Sequence, residues 1–192
     1  MWRNTEKSYG RVARWLHWCL ALMILMQLLL GYLTQALAAD PALQFAVYQW
    51  HKSLGMLVLA LAFARLAWTL AGVRPLPVPG LSAPEAVAAQ AVHRLLLMLT
   101  ILVPLAGWAV VSSSTLGIPV YLFDTFAMPN LPLTVSDQDE AFWSRFHTVL
   151  AYGLGVLVVV HVGAALYHHV VRGDDSLRRM MGMRPRSGDD AG

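Results

Sequence analysis

Charge is what this chain has least of. Only 13% of its 192 residues are Asp, Glu, Lys or Arg, against about 25% in soluble domains, so they cannot wet a surface of this size. There is also a single cysteine, Cys19, which excludes an intramolecular disulfide framework and a multi-cysteine metal site. Apolar residues fill the space: 57% are hydrophobic and the mean hydropathy is +0.54. The solvent for most of this surface is lipid. That excludes a secreted scaffold, a disordered tail and a typical soluble enzyme.

The scarce charges mark out the spans. Trp15 to Ala39, Leu95 to Phe123 and Phe146 to Val171 are charge-free runs of 25, 29 and 26 residues. A fourth run, Ser53 to Val73, is broken only by Arg65. About 20 apolar residues cross a bilayer, and backbone at that depth must satisfy its own hydrogen bonds. The sequence therefore predicts an all-α integral membrane protein, a four-transmembrane-helix bundle with helices near 14–38, 46–72, 91–113 and 145–171. These lie in one domain over 1–175, followed by a polar cytoplasmic tail over 176–192 that carries Arg178, Arg179, Arg184 and Arg186. The connections are a short link around Asp40-Pro41, a proline-rich linker from Val73 to Pro84, and a long loop from Leu116 to Glu140.

Orientation follows from the bases. With both termini on one side, that side holds 12 of the 14 Lys and Arg, and only Lys52 and Arg145 fall on the other. By the positive-inside rule both termini are cytoplasmic. The pI of about 9.3 thus reflects topology, and nucleic-acid binding is not expected. The start also resembles a secretory signal ending at Ala36-Leu37-Ala38, but its apolar run is much longer than a signal core. An uncleaved first helix is the expectation.

Ionisable groups within spans are costly, and each is a functional hypothesis. His17 falls at the inner end of the first helix and His51 at the outer end of the second; the fourth carries His147 and His161. Fourteen residues rise about 21 Å and bring both imidazoles of the fourth helix to one face. Depth pairs His51 with His147 and His17 with His161. Facing imidazoles at two depths suit two b-type haems stacked along the membrane normal, with no iron position left open. Gly55, Gly153, Gly155 and Gly163 would leave room for a flat macrocycle, or are simply the glycines usual in membrane helices.

The order Trp15-Leu16-His17-Trp18, Trp50-His51-Lys52-Ser53-Leu54-Gly55, Phe146-His147, His161 and His168-His169, with the tail Leu177-Arg178-Arg179-Met180-Met181, resembles the bacterial cytochrome b561 family over roughly 10–175. The resemblance implies a diheme oxidoreductase of the bacterial inner membrane that oxidises superoxide outside and reduces ubiquinone near the cytoplasmic face. It also implies His17, His51, His147 and His161 as iron ligands. Two alternatives stand beside it. One is an electron-relay subunit of a membrane hydrogenase or dehydrogenase, with a redox partner subunit. The other is a haem-free transporter or structural protein, although no repeat symmetry of the transporter kind is visible.

Lys52 and Arg145 adjoin the outer ligands and are candidates to attract superoxide, or to neutralise haem propionates. His168 lies seven residues after His161, about 10 Å nearer the cytoplasm, where a histidine can relay protons to a quinone; the other reading is an interfacial pair with His169 beside Arg172. Trp18, with Trp15 and Arg14, is placed to shape that pocket. Arg65 is a candidate for an inner haem propionate, with snorkelling as the bland reading. His93, beside Arg94, has no partner in this scheme. Cys19 reads as packing and Pro104 as a kink. A homo-oligomer is compatible with the sequence.

Overall fold

The structure, a computed structural model, describes residues 1–6, 8–73, 75–76 and 82–183. Most of the proline-rich linker (74 and 77–81), and Arg184 and Arg186 of the tail, lie outside the described residues. Among the described residues, four helices are long and apolar enough to cross a membrane: α1 (Arg11–Ala36), α2 (Pro41–Ala71), α3 (Ala83–Ser113) and α4 (Asp137–Tyr167). α1 packs on α2, α2 on α3 and α3 on α4. Leu20, Ile24, Val58, Ala62, Leu99 and Leu154 form the buried centre of the bundle, one layer drawn from all four helices.

All four helices begin earlier than the charge-free runs implied, and local chemistry explains the three larger shifts, in α2, α3 and α4. Asp40 accepts a hydrogen bond from the Leu43 N–H at 3.1 Å, and Pro41 follows as the first helical residue, where a missing N–H costs nothing. Ser82 and Glu85 form a capping box with Pro84 in the first turn. The end of the proline-rich linker is thus a helix start. Ser136 caps α4 by accepting from the Asp139 N–H, and Asp137, Asp139 and Glu140 occupy its first turn, where carboxylates favour the positive end of the helix dipole. The acidic cluster assigned to the long loop therefore belongs to α4.

The remaining loop also contains structure that the sequence did not announce. β1 (Val120–Leu122) and β2 (Phe126–Met128) form an antiparallel hairpin. Its turn puts Phe123 at φ 48° and Asp124 at φ 56°, a backbone region unusual for a bulky residue such as phenylalanine. Ser53 of α2 holds it there. The Ser53 hydroxyl donates to the Tyr121 carbonyl at 2.7 Å and accepts from the Phe123 N–H at 3.1 Å.

At the opposite end, the two termini and the α2–α3 linker are tied together. The Asn4 amide donates to the Val73 carbonyl, and the Leu76 N–H donates to the Glu6 carbonyl. α4 runs out through a widened π-helical turn, His168–Arg172, which ends on Gly173 at φ 68°, a conformation open to glycine. A short helix, α5 (Ser176–Met181), follows. The Trp18 indole donates to the Met180 carbonyl at 3.1 Å. The first part of the predicted tail is therefore docked on α1.

Candidate functional site

The four helices carry their polar groups in two tiers. His17, Arg65, His93 and His161 lie towards the end that bears the termini. Fourteen residues along each helix are Gly31 on α1, His51 on α2, Gly107 on α3 and His147 on α4. Since fourteen residues rise about 21 Å, the same repeat in antiparallel helices gives two matched levels with the apolar layer between them.

In the tier farther from the termini (outer below, the nearer one being inner), the His51 and His147 rings face each other with centroids 6.2 Å apart. The His17 and His161 rings of the inner tier are also 6.2 Å apart. If metal–imidazole bonds are about 2 Å and a ring nitrogen lies about 1.1 Å from its ring centre, one ion between two imidazoles separates the ring centres by about 6 Å. Both pairs have that spacing. They meet in space as their depths along the helices required.

Each tier has further support. His147 Nδ1 donates to the Val103 carbonyl of α3 at 2.9 Å, which fixes the ring and leaves the Nε2 lone pair available to a metal. Gly107 permits this approach: a Cβ there would lie 3.1 Å from His147 Cε1 and 3.2 Å from Nδ1. Gly31 does the same for His51, whose Cε1 would be 3.3 Å from an added Cβ. Gln27 donates to the His51 carbonyl at 2.9 Å. Of the glycines singled out in the sequence, Gly55 makes room for Gln27, Gly155 would make ordinary contact with Leu28, and Gly153 and Gly163 adjoin open space.

His93 joins the inner tier, with its ring centroid 5.2 Å from that of His161. Arg65 reaches the same place and interacts electrostatically with His17, His93 and His161. One of its terminal nitrogens, Nη1, is buried with no hydrogen-bond partner among the described residues. A buried guanidinium nitrogen in that state calls for an acid. Neutral imidazole pairs at both levels, glycines at the ring edges and this unpaired nitrogen fit b-type haem, whose propionates supply such an acid.

The other predicted residues divide. Trp18 lies beside His17, ring centroids 5.1 Å apart, and also holds α5. Lys52 is drawn under the hairpin, its Nζ donating to the Pro119 carbonyl at 3.4 Å. Arg145 is exposed, and residues two apart on a helix do not share a face, so it is not brought to the His51–His147 pair. His168 stands at the mouth of the inner end, bonded through Nδ1 to Asp174 at 2.6 Å.

Sequence reasoning missed Gly107, Gly31 and Asp174, and it left His93 with an interface or pocket role and no partner. Counting fourteen residues from His17 and His93 would have found the two glycines. Asp174 depends on the π-helical turn and had no such signal.

A four-helix membrane bundle with imidazole donors at both ends has the form of a membrane cytochrome b. The family model described as prokaryotic cytochrome b561 matches residues 8–183. Cytochrome b561 homolog 2 of Escherichia coli (strain K12) is 30% identical over 181 residues, covering 93% of this chain and 94% of that protein. Cytochrome b561 homolog 1 of the same organism is 27% identical, with 92% and 98% covered. Cytochrome b562 of Cereibacter sphaeroides is 28% identical, with 94% and 98% covered. The chain belongs to the prokaryotic cytochrome b561 family. It is a multi-pass membrane cytochrome b that binds b-type haem and transfers electrons. The haem-free transporter is thereby set aside.

Proposed function

We propose that the chain is a superoxide:ubiquinone oxidoreductase of the bacterial inner membrane, with both termini cytoplasmic. The carrying observation is the repeated pair: two histidine couples, each 6.2 Å between ring centres, at opposite ends of one apolar core. His51 and His147 would hold the outer of two b-type haems, and His17 and His161 would hold the inner. Bound in this way, the haems supply one-electron transfer across the apolar layer.

The residues supply the rest. Val103 and Gly107 aim His147, and Gly31 leaves space for His51. Arg65 neutralises acid at the inner level, and Leu20, Ile24, Val58, Leu99 and Leu154 keep water out between the levels. At the outer end, Lys52 gives local positive charge beside His51, and Arg145 adds to the field from the helix surface. Local is the operative word, because the outer segments contain Asp40, Asp124, Asp137, Asp139 and Glu140. The net reaction converts two superoxide anions, one ubiquinone and two protons into two dioxygen molecules and one ubiquinol. His168 gives protons to the quinone oxygens in a pocket shaped by Trp18 and Arg14, and is recharged from cytoplasmic water.

The test is the haem-loaded chain, purified alone and placed in lipid with ubiquinone. Superoxide added on the hairpin side should produce ubiquinol without any other subunit. Dependence on a copurifying dehydrogenase would overturn this reading in favour of an electron-relay subunit.

A further inference from the structure

The function proposed above leaves one carboxylate of the inner end unused. The π-helical turn His168–Arg172 closes when the His168 carbonyl accepts both the Gly173 N–H and the Asp174 N–H, the latter at 3.1 Å. That closure folds Asp174 back over the turn from which His168 projects. Its Oδ2 meets His168 Nδ1 at 2.6 Å, and its Oδ1 accepts the Ser176 N–H at 2.9 Å. The side chains are 21% and 15% exposed, so the couple is sheltered yet open to a ligand.

We propose that Asp174 is the positioning residue for His168 in quinone reduction. A carboxylate can only accept, so the Nδ1 atom must carry hydrogen and Nε2 is the nitrogen turned to the quinone. When Nε2–H gives its proton to a quinone oxygen, the N–H bond breaks, an O–H bond forms and the imidazolium becomes neutral. Asp174 remains ionised throughout and holds the ring in place. Burial pushes the Asp174 carboxyl up, but the hydrogen bonds from Ser176 and His168 outweigh it and hold the group below its ordinary value.

Among the described residues, the other charged groups nearby have contacts of their own. Arg172 pairs with Glu85 of α3 at 2.5 Å, and Arg178 of α5 pairs with Asp175 at 3.4 Å. Arg179 donates to the Leu76 carbonyl. Tyr167 lies edge-on to His168 at 5.9 Å, and His169 has a buried Nδ1 with no partner among the described residues.

This inference rests on the reading of His168 as the proton donor, and the experiment separates the two. Haem-loaded chains in lipid are compared with a soluble short-tailed ubiquinone as the acceptor. His168→Ala should cut kcat; if it does not, the reading of His168 fails. Asp174→Asn should lower kcat about 10- to 100-fold, taking the loss seen when a carboxylate that orients a metal-bound histidine is removed as the scale, with KM nearly unchanged. Asp174→Glu should recover part of the rate. His168→Ala combined with Asp174→Asn should be no slower than His168→Ala alone. If His168→Ala slows the enzyme while Asp174→Asn leaves kcat unmoved, the proposal is wrong. The unsubstituted chain gives an independent reading: nitrogen-15 NMR should show neutral His168 protonated at Nδ1, and protonation at Nε2 would overturn the assignment.

Discussion

Replacing Gly107 by alanine sets two effects of opposite sign against each other. In the helix, glycine to alanine is favourable by about 1 kcal/mol, because alanine loses less backbone freedom. At this position, however, the added methyl would lie 3.1 Å from Cε1 and 3.2 Å from Nδ1 of His147, tighter than ordinary carbon contact. The ring must withdraw by a few tenths of an ångström. Its 2.9 Å bond to the Val103 carbonyl lies on the same side and weakens with it. Losing such an orienting partner costs about 10- to 100-fold in metal affinity, which is about 1.4 to 2.7 kcal/mol. Gly107→Ala should therefore leave thermal unfolding of the haem-free helices unchanged or raised while the outer haem binds at least about tenfold more weakly. The assay is haem transfer to excess apomyoglobin, followed in the visible spectrum. Gly31→Ala, with its 3.3 Å approach to His51 Cε1, should have the same effect more mildly. Unchanged haem retention in Gly107→Ala would refute the reasoning that this glycine exists to admit His147.

Two further outcomes follow from the ends of the bundle. Ser53→Ala leaves the Tyr121 carbonyl and the Phe123 N–H without their partner; the hairpin should lose about 1 to 3 kcal/mol of local stability, read as faster hydrogen exchange at Phe123. At the other end, the depressed Asp174 value means that its bonds to His168 and Ser176 contribute fully above the unfolded aspartate value of about 3.9 and are lost as pH falls through the lower folded value. The fluorescence component removed by Trp18→Phe, which reports α5 on α1, should therefore change only below about pH 4.

The parts of the fold that were legible in the sequence are those governed by long-range statistics. Charge-free runs located four spans because lipid leaves a continuous helix little alternative. A fourteen-residue step matched His147 to His161 because it comes close to whole helical turns. Residues with two local meanings were not legible. Pro84 reads as a helix breaker but is a first-turn residue, and Asp137, Asp139 and Glu140 read as loop but favour a helix start. The hairpin was hidden because Phe123-Asp124 lacks the glycine that usually marks such a turn, and Ser53, 70 residues away from Phe123, supplies what the turn residues do not. His93 was set aside because ligands were sought in pairs, whereas the inner level gathers three histidines and Arg65. Asp174 reaches His168 only through the widened turn, which no periodicity foretells.

The central claim is that each histidine pair holds one haem. Reduced-minus-oxidised visible spectra with pyridine haemochrome quantitation of the fully loaded chain test it directly. The account predicts two b-type haems per chain, with His161→Ala losing the inner one and His147→Ala the outer. A single haem per chain, or loss of the outer haem from His161→Ala, would contradict it.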